Sequence, residues 1–294
     1  MLWLFFALLS PLLWATSNLM DGDIVFHRMR KPMVLMGTTG LFSGLPALFL
    51  ILTGNFSVPS LSVILFGLAT GMVGLVVYYP YFRALETASP AEVVLLWNLG
   101  PVLVTIGAYF LLDERLTVLK YVAIALLILS TVVIQGTRES FLKLKVNKKA
   151  ALWMVLASVG LAIQGLMDKR LFQDTSTVNG LTLISVGSFA LGLVLFFSQR
   201  ERRNVELAFK KFGPLLITDH LFDLGGILTF YIAVALGSVS LTMAIGGIQA
   251  LIIVALTWIG SRIFTKQQFR ILKPPPAWRV ALAVVLTVVG MALV

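Results

Sequence analysis

Long apolar runs dominate the sequence and constrain its fold more than any other feature. A helix that crosses a bilayer needs about 20 predominantly apolar residues. Because the runs are continuous rather than alternating, they favour helices over the strands of a β-barrel. The sequence therefore predicts an all-α membrane protein with ten transmembrane helices, which we number as spans 1 to 10. They occupy approximately residues 2–20, 33–53, 61–82, 91–112, 117–135, 150–167, 178–198, 213–235, 240–263 and 278–294.

The overall composition fits a chain surrounded by lipid. Hydrophobic residues make up 59% of the 294 residues and charged residues 12%, which is about half the charged fraction of a typical soluble domain. The two longest connections, residues 138–149 and 199–211, are too short to hold a soluble domain, so the function is expected within the helical bundle. We expect an integral membrane protein of a bacterial or archaeal inner (plasma) membrane, in contact with membrane lipid.

The basic residues are distributed unevenly between the two sides of the predicted bundle. Of the 23 Lys and Arg residues, 19 lie in or beside the connections after the odd-numbered spans, and 4 lie on the other side. Short cytoplasmic loops are enriched in Lys and Arg. We therefore expect the basic loops to be cytoplasmic and both termini to lie on the opposite side. The net charge of +10 is expected to set this orientation rather than to bind nucleic acid.

Several kinds of chemistry are excluded or disfavoured by what the chain lacks. It contains no cysteine, so it has no disulfide and no thiolate metal site, and its two histidines, His27 and His220, are too few for a histidine-rich metal centre. The sequence has no P-loop, so ATP is not the direct energy source. Metalloprotease and serine hydrolase motifs are absent as well. We expect no metal, no cofactor and no enzymatic activity.

The ten spans divide into two halves of five that resemble each other weakly. Residues 8–21 align with 155–168, and both segments end in Leu-Met-Asp; residues 83–89 align with 234–240 in the same chain order. Because five is an odd number, the second copy must be inverted in the membrane relative to the first, as in many secondary transporters. The predicted domains are a first five-helix repeat, residues 1–146, and a second five-helix repeat, residues 147–294.

One segment across spans 3 to 5 is similar to a known family of membrane proteins. Residues 81–117 read YFRALETASPAEVVLLWNLGPVLVTIGAYFLLDERLT. They resemble the signature of EamA-like permeases of the drug/metabolite transporter (DMT) superfamily in an aromatic-x-x-Ala-Leu segment, two small residues, a proline within span 4 and an acidic-basic pair at its end. Beyond the aromatic segment, the residues that carry this resemblance are Ala88, Ser89, Pro101, Glu114 and Arg115.

The second half departs from this signature. It has Ile252 and Thr265 in the places of Pro101 and Glu114, so the resemblance points to the superfamily rather than to a particular subfamily. The resemblance implies a DMT/EamA-like fold of ten helices, with a central cavity between two inverted five-helix repeats. It also implies movement of small metabolites, often outward, that is driven in many members by ion or proton gradients.

Span 8 carries three ionisable residues, Asp219, His220 and Asp223, in the sequence LLITDHLFDLGG (215–226). An ionisable group within a membrane span is costly, so a functional role is the first hypothesis. Residues i and i+4 share a helix face, which places both carboxylates on one side. Two close carboxylates in a medium of low dielectric resist ionising together, so they and the histidine are candidates for proton coupling. The alternative is a structural cluster whose members satisfy one another.

A second set of candidates consists of neutral polar and aromatic side chains within the spans. Polar groups in lipid must find partners on other helices or in a water-filled cavity, and an apolar pocket with a few polar groups is typical of a small-molecule site. The alternatives are hydrogen bonds between helices and packing against lipid. The candidates for a substrate cavity are Trp14, Asn18, Tyr78, Tyr79, Tyr81, Trp97, Asn98, Gln164 and Gln249.

Two further sets of charged residues are predicted at helix ends. Asp21 and Asp168 are equivalent in the repeat alignment, and each is predicted to lie where its span ends, at opposite faces of the membrane. Plain helix termination is the favoured interpretation, and contacts in a gate or at a helix end are the alternative. The sequence DER (113–115) is predicted to form an ion pair that steadies the end of span 4.

Together these features predict a secondary active transporter that exports a small metabolite, amino acid or drug-like solute by alternating access, with proton coupling as a hypothesis. A flippase for lipids or lipid-linked sugars is an alternative on the same fold. An intramembrane aspartyl enzyme is the alternative from another class. It is disfavoured because Asp219 and Asp223 come from one helix and the sequence predicts no further deeply buried aspartate. The sequence leaves the oligomeric state open.

Overall fold

The computed structural model of the chain describes residues 2–24, 31–53, 56–86, 93, 96–97, 99–135, 148–263 and 275–294. These residues form α-helices and no strand. In chain order the helices are α1 (Leu2–Asp23), α2 (Pro32–Phe42), α3 (Gly44–Leu52), α4 (Leu61–Leu85), α5 (Leu99–Leu111), α6 (Val118–Gln135), α7 (Lys148–Asp174), α8 (Thr177–Phe196), α9 (Gln199–Leu236), α10 (Val239–Gly246), α11 (Gln249–Ile263) and α12 (Ala277–Ala292).

The helices correspond closely to the predicted spans. Seven segments of the described chain are long and apolar enough to cross a membrane, and three shorter apolar helices, α5, α6 and α12, match the remaining predictions. Two predicted spans are each built from two helices, because α2 and α3 meet at Ser43 and α10 ends just before Gly247. The all-α membrane fold is confirmed, with a number of spans close to the ten predicted.

Helix α9 corrects the prediction that residues 199–211 form a connection. It runs for 38 residues from Gln199 to Leu236 and bends at Phe212, whose φ of −149° and ψ of 33° are not helical. The bend precedes Pro214, which lacks an amide hydrogen and crowds the preceding turn. The segment before the bend is rich in Glu, Arg, Lys, Leu and Ala, which favour helix, so its charge does not make it a loop.

The two predicted halves are packed together in a crossed arrangement. Helix α1 of the first half packs against α9 of the second, and α7 of the second half packs against α4 of the first. In the same way α5 packs against α7, whereas α10 and α11 pack against α1. An inverted repeat would produce such reciprocal pairs. The division into repeats 1–146 and 147–294 itself stays a prediction.

Buried apolar side chains form two large clusters, and the outer surface of the bundle is apolar. One cluster includes Phe82 and Leu216, and the other includes Leu171 and Val234. Large hydrophobic side chains are also exposed on many helices, which suits a surface in contact with lipid rather than water. Examples of this exposed set are Phe5, Phe49, Leu65, Phe110, Leu152, Val194, Leu221, Trp258 and Val288.

Candidate functional site

A cavity of about 150 Å³ lies within the bundle, between helices of both halves. A cavity of this volume has room for a compact organic molecule, roughly of the size of benzene. Its wall combines apolar surface with a small number of polar groups from several helices. The polar and aromatic residues that line it include Trp14, Ser17, Asn18, Asp21, Thr39, Tyr78, Tyr81, Trp97, Thr131, Gln164, Ser185, Ser188, Asp223, Tyr231 and Gln249.

Most of the residues proposed from the sequence for a substrate cavity do line it. Tyr79 does not: its ring packs edge-on against Trp153, with 5.9 Å between ring centroids, and the Arg83 guanidinium lies 6.0 Å from its centroid. Asn98 lies outside the described residues. The candidates that line the cavity are Trp14, Asn18, Tyr78, Tyr81, Trp97, Gln164 and Gln249.

Asp223 is the member of the span-8 trio that reaches the cavity. The Tyr78 hydroxyl donates to its two carboxylate oxygens at 3.0 and 3.3 Å, and Trp14 supplies another hydrogen bond. The indole can approach because residue 226 is glycine: a Cβ there would lie 2.6 Å from Cδ1 of Trp14. A buried carboxylate is therefore held by donors from α1 and α4 at the wall of the cavity.

Asp219 and His220 lie behind the wall rather than on it. Asp219 is 1% exposed and accepts a hydrogen bond of 2.7 Å from the Ser17 hydroxyl. His220 is 2% exposed; its Nε2 lies 2.7 Å from the Thr38 hydroxyl, and its Nδ1 lies 3.7 Å from Oδ2 of Asp219. Each side chain thus has a partner on a neighbouring helix. This arrangement fits the alternative hypothesis, in which these residues form a structural cluster and do not couple transport to protons.

Asp21 and Asp168 differ from their prediction as helix-end residues. Helix α1 continues to Asp23 and α7 continues to Asp174, and both aspartates are buried, at 6% and 0% exposed. Asp21 lines the cavity and interacts electrostatically with Asp219 and Asp223. The expectation that no further aspartate is deeply buried was therefore wrong. The cause is that both helices extend beyond the predicted spans and stay covered by their neighbours.

Aromatic and amide side chains complete the cavity wall. The Tyr81 hydroxyl donates to Oδ1 of Asn18, and the Tyr81 ring packs edge-on against Trp97 with 5.3 Å between centroids. On the other side the Gln164 amide donates to the Tyr231 hydroxyl at 2.9 Å. These contacts join α1 to α4 and α7 to α9. Tyr231 and Asp21 were missed from the sequence, although the repeated Leu-Met-Asp was a usable signal for Asp21.

A group of charged residues holds the short turn between α9 and α10. Oε1 of Glu114 accepts a hydrogen bond from the Ser238 hydroxyl and one of 3.3 Å from the Ser240 amide, at the N-terminus of α10. Nζ of Lys169 donates to the backbone carbonyls of Val234, at 3.1 Å, and Gly237. We call Glu114, Lys169 and the turn Gly237–Ser238 the charged latch.

The latch corrects the interpretation of the DER segment. The ion pair within it joins Arg115 and Asp113 at 2.7 Å, and it is exposed. The hydrogen bond and the negative charge of Asp113 raise the pKa of Arg115 above its usual value. Glu114 turns away from this pair and caps a helix of the other half of the chain. In the described part of the chain, no three His, Asp or Glu side chains are arranged to hold a metal ion.

An all-helical membrane bundle with a partly polar central cavity is the architecture expected of a transporter or permease. The model of the EamA-like transporter family, which is part of the DMT superfamily, matches residues 1–135 of this chain. The resemblance stated from residues 81–117 is therefore confirmed.

A solved crystal structure shares the fold over both halves. It superposes with a TM-score of 0.73 at 20% sequence identity, and the match covers 98% of this chain and 94% of the other. At that identity the likeness establishes the fold alone. No curated protein sequence matches this chain significantly.

Proposed function

We propose that this chain is a secondary transporter that moves a small, positively charged organic solute through the central cavity in exchange for protons. The observation that carries this proposal is the balance of charge at the cavity wall. Asp21 and Asp223 line the cavity, and Asp219 lies directly behind it, but none of the described lining residues is Lys, Arg or His. Such a wall suits a cation and repels an anion.

The aromatic side chains of the wall support the same class of solute. Tyr78 and Tyr81 stand edge to face with 6.5 Å between their centroids, Trp97 packs against Tyr81, and Trp14 lies across the cavity wall beside Phe230. A cation within about 6 Å of such ring faces is attracted by them, most strongly when water is excluded. An organic ammonium group would meet both kinds of favourable contact in this cavity.

Proton exchange follows from the burial of the acids. An ionised carboxylate in a buried, water-poor site is strongly destabilised unless a positive charge or enough hydrogen-bond donors accompany it. Asp223 receives hydrogen bonds from Tyr78 and Trp14, so it is prepared to be ionised when a cation is present. When the cavity is empty, a proton takes the place of the cation. The solute and the proton would then compete for one carboxyl group.

The packing of the bundle supports alternating access. The cavity lies among helices that pair across the two predicted repeats, and two of the predicted spans that line it are interrupted, at Ser43 and at Gly247. Rocking of one repeat against the other around a central site is the motion expected of such folds. We also propose that the basic loops face the cytoplasm and that transport is directed outward.

Binding to purified protein tests the charge of the solute. Benzylammonium, benzyl alcohol and benzoate have similar sizes and shapes but carry positive, zero and negative charge. We expect the cation to bind best, to bind more tightly as the pH rises, and to quench fluorescence of the tryptophans at the cavity. Asp223→Asn should weaken cation binding by at least about tenfold, since a charge-assisted contact is worth about 1.5–3 kcal/mol. Preferential binding of benzoate would refute the proposal.

Transport is tested in proteoliposomes with an imposed pH gradient. We expect accumulation of a labelled organic cation against its gradient, and loss of this accumulation in Asp223→Asn. Asp174→Asn is the matched control, because Asp174 is partly exposed and pairs with Arg170 at the end of α7. Cation accumulation that is unaffected by Asp223→Asn would contradict the role of Asp223. A chain that moves labelled lipid instead would be a flippase.

Orientation is tested with single cysteines, since the chain has none of its own. Ser60 is exposed between α3 and α4, on the side predicted to face away from the cytoplasm. Ser60→Cys should react with an impermeant maleimide applied to intact cells. Reaction only after the cells are opened would reverse the proposed orientation.

A further inference from the structure

Asp168 is the most completely sealed ionisable residue in the described part of the chain. It is 0% exposed, and neither of its carboxylate oxygens has a hydrogen-bond partner among the residues that the structure describes. The other acids of the bundle contrast with it, because Asp219 is bonded to Ser17 and Asp223 to Tyr78. The cavity mechanism proposed above makes no use of Asp168.

The position of Asp168 lies between the cavity and the charged latch. One helical turn before it, Gln164 lines the cavity and donates to Tyr231, and Tyr231 in turn interacts electrostatically with Asp168. Directly after it, Lys169 holds the carbonyls of Val234 and Gly237 in the latch. Asp168 is about 30 Å along α7 from Lys148 at 1.5 Å per residue, so it lies near the far side of the hydrocarbon core.

We propose that Asp168 is a second proton-binding site, which exchanges its proton only when the charged latch opens to the water on the Glu114 side. The proposal rests on the alternating access proposed above and extends it. In the sealed structure an ionised Asp168 would have neither a hydrogen bond nor a counter-charge, so the carboxyl group holds a proton there. Opening of the latch admits water, and the proton then passes from a carboxylate oxygen to that water.

The helices packed around Asp168 offer few other groups that could gain or lose a proton near it. Lys169, next to it on α7, donates to two carbonyls and interacts with Glu114, and Tyr231 faces it from α9. Helices α8 and α10, which also pack on α7, contain no ionisable residue in their described ranges. In α5 the ionisable residue is the exposed Tyr109, which lies beside Arg115. In α4 the ionisable residues are Tyr78, Tyr79, Tyr81 and Arg83, toward the other end of that helix.

The consequence is a pH-dependent latch. Because the closed state requires a protonated Asp168 and the open state does not, a rise in pH on the Glu114 side favours opening. The sign follows from linkage: the state that binds fewer protons gains population as the pH rises. The neutral amide introduced by Asp168→Asn resembles a permanently protonated carboxyl group, so this variant should keep the latch closed at every pH.

Accessibility of a single cysteine tests this inference without any solute. Met243 lines the cavity and lies against Gly165 of α7, where its methyl group would touch a Cβ. The cysteine of Met243→Cys is therefore reached by a water-soluble reagent when water enters the cavity past the latch. An impermeant maleimide is applied to the Glu114 side of oriented proteoliposomes between pH 5.5 and 8.5, and Ser60→Cys serves to establish which side that is. Because maleimide reacts with the thiolate, whose fraction itself rises with pH, labelling of Met243→Cys is expressed relative to that of the exposed Ser60→Cys at the same pH. We expect this ratio to rise with pH by up to about tenfold per unit, and to stay low throughout in the Asp168→Asn background.

A matched variant and the alternative outcomes separate this inference from the proposed function. Asp174→Asn, on the same helix but partly exposed, should leave the pH dependence unchanged, and the melting temperature of each variant checks its folding. Two results would overturn the inference: equal pH dependence with and without Asp168→Asn, or labelling of the parent that is insensitive to pH. Either result would leave alternating access intact. A reporter that is never reached from the Glu114 side at any pH would overturn both proposals.

Discussion

Helices α4 and α8 approach each other so closely at Gly71 that we expect a single methyl group to force them apart. A Cβ at residue 71 would lie 2.0 Å from the carbonyl oxygen of Ile184 and 2.9 Å from the backbone amide nitrogen of Ser188. Ordinary contact begins at 3.4 Å, so Gly71→Ala requires a displacement of roughly 1.4 Å between two backbones. No rotation of a side chain can relieve this contact, because both neighbours are backbone atoms.

The magnitude follows from the cost of overpacking. Extra methyl or methylene groups in a packed interior cost about 1–3 kcal/mol, and the displacement also breaks the 2.8 Å hydrogen bond from the Ser188 hydroxyl to the Gly71 carbonyl. With about 1 kcal/mol for the lost hydrogen bond, the total cost is about 2–4 kcal/mol. At roughly 2 °C per kcal/mol for a chain of this size, Gly71→Ala should lower the melting temperature in detergent by about 4–8 °C. Because Ser188 lines the cavity, binding of the cation should weaken as well.

The control for this substitution is Gly246→Ala. Gly246 ends α10, and a Cβ there would meet no atom within 4 Å. We expect its melting temperature to stay the same or to rise slightly, since alanine favours helix over glycine by about 1 kcal/mol. If Gly71→Ala were as stable as Gly246→Ala, the close approach of α4 to α8, and with it the packing around the cavity, would be refuted.

Three further substitutions test single contacts. Tyr78→Phe removes a donor to Asp223 and should weaken cation binding at pH 7 by about tenfold; unchanged affinity would show that this hydrogen bond does not support the carboxylate. Glu114→Gln weakens the cap of α10 by about 0.5–2 kcal/mol and should increase labelling of Met243→Cys from the Glu114 side; decreased labelling would contradict the latch. Thr38→Val leaves His220 without its partner and should lower the free energy of unfolding by about 1–3 kcal/mol, as measured by denaturation, with pH-dependent transport retained. Loss of that pH dependence would instead favour a proton-coupling role for His220.

The helical fold was predictable because lipid restricts what the backbone can do. In hydrocarbon, backbone amides and carbonyls must bond within the chain, so a continuous apolar run of sufficient length becomes a helix. The same argument fails at helix ends, where charged residues such as those of 199–211 can continue a helix along or beyond the membrane surface. For this reason α9 and α7 extend past their predicted spans, and Asp168 was assigned to a helix end instead of the interior.

Which side of each helix faces the cavity was harder to predict than where the helices lie in the sequence. Tyr78, Tyr79 and Tyr81 lie close together in the sequence, but successive residues are about 100° apart around a helix, so Tyr79 points to Trp153 and away from the cavity. Asp219 and Asp223 share a face, as predicted, yet four residues separate them by about 6 Å along the axis. Asp223 lines the cavity, whereas Asp219 does not and is bonded to Ser17.

Contacts between the two halves could not be derived from either half alone. Glu114 was recognised in the sequence, but its role depends on the Ser238 hydroxyl and the Ser240 backbone amide, more than 120 residues away, from which it accepts hydrogen bonds. Likewise, the partner of Asp223 is Tyr78 on α4. The repeat alignment contained part of this information, because it paired Asp21 with Asp168, and these are two buried acids that the candidate residues did not include.

The central claim, that a cation and a proton compete for Asp223, is tested most directly by proton release from purified protein. Benzylammonium, or whichever organic cation binds best, is added to the protein in weakly buffered detergent solution near neutral pH, and a pH indicator measures the protons released. We predict a release that saturates together with binding and is lost in Asp223→Asn but retained in Asp174→Asn. Saturable cation binding with no release of protons, or with the same release from Asp223→Asn, would contradict the claim.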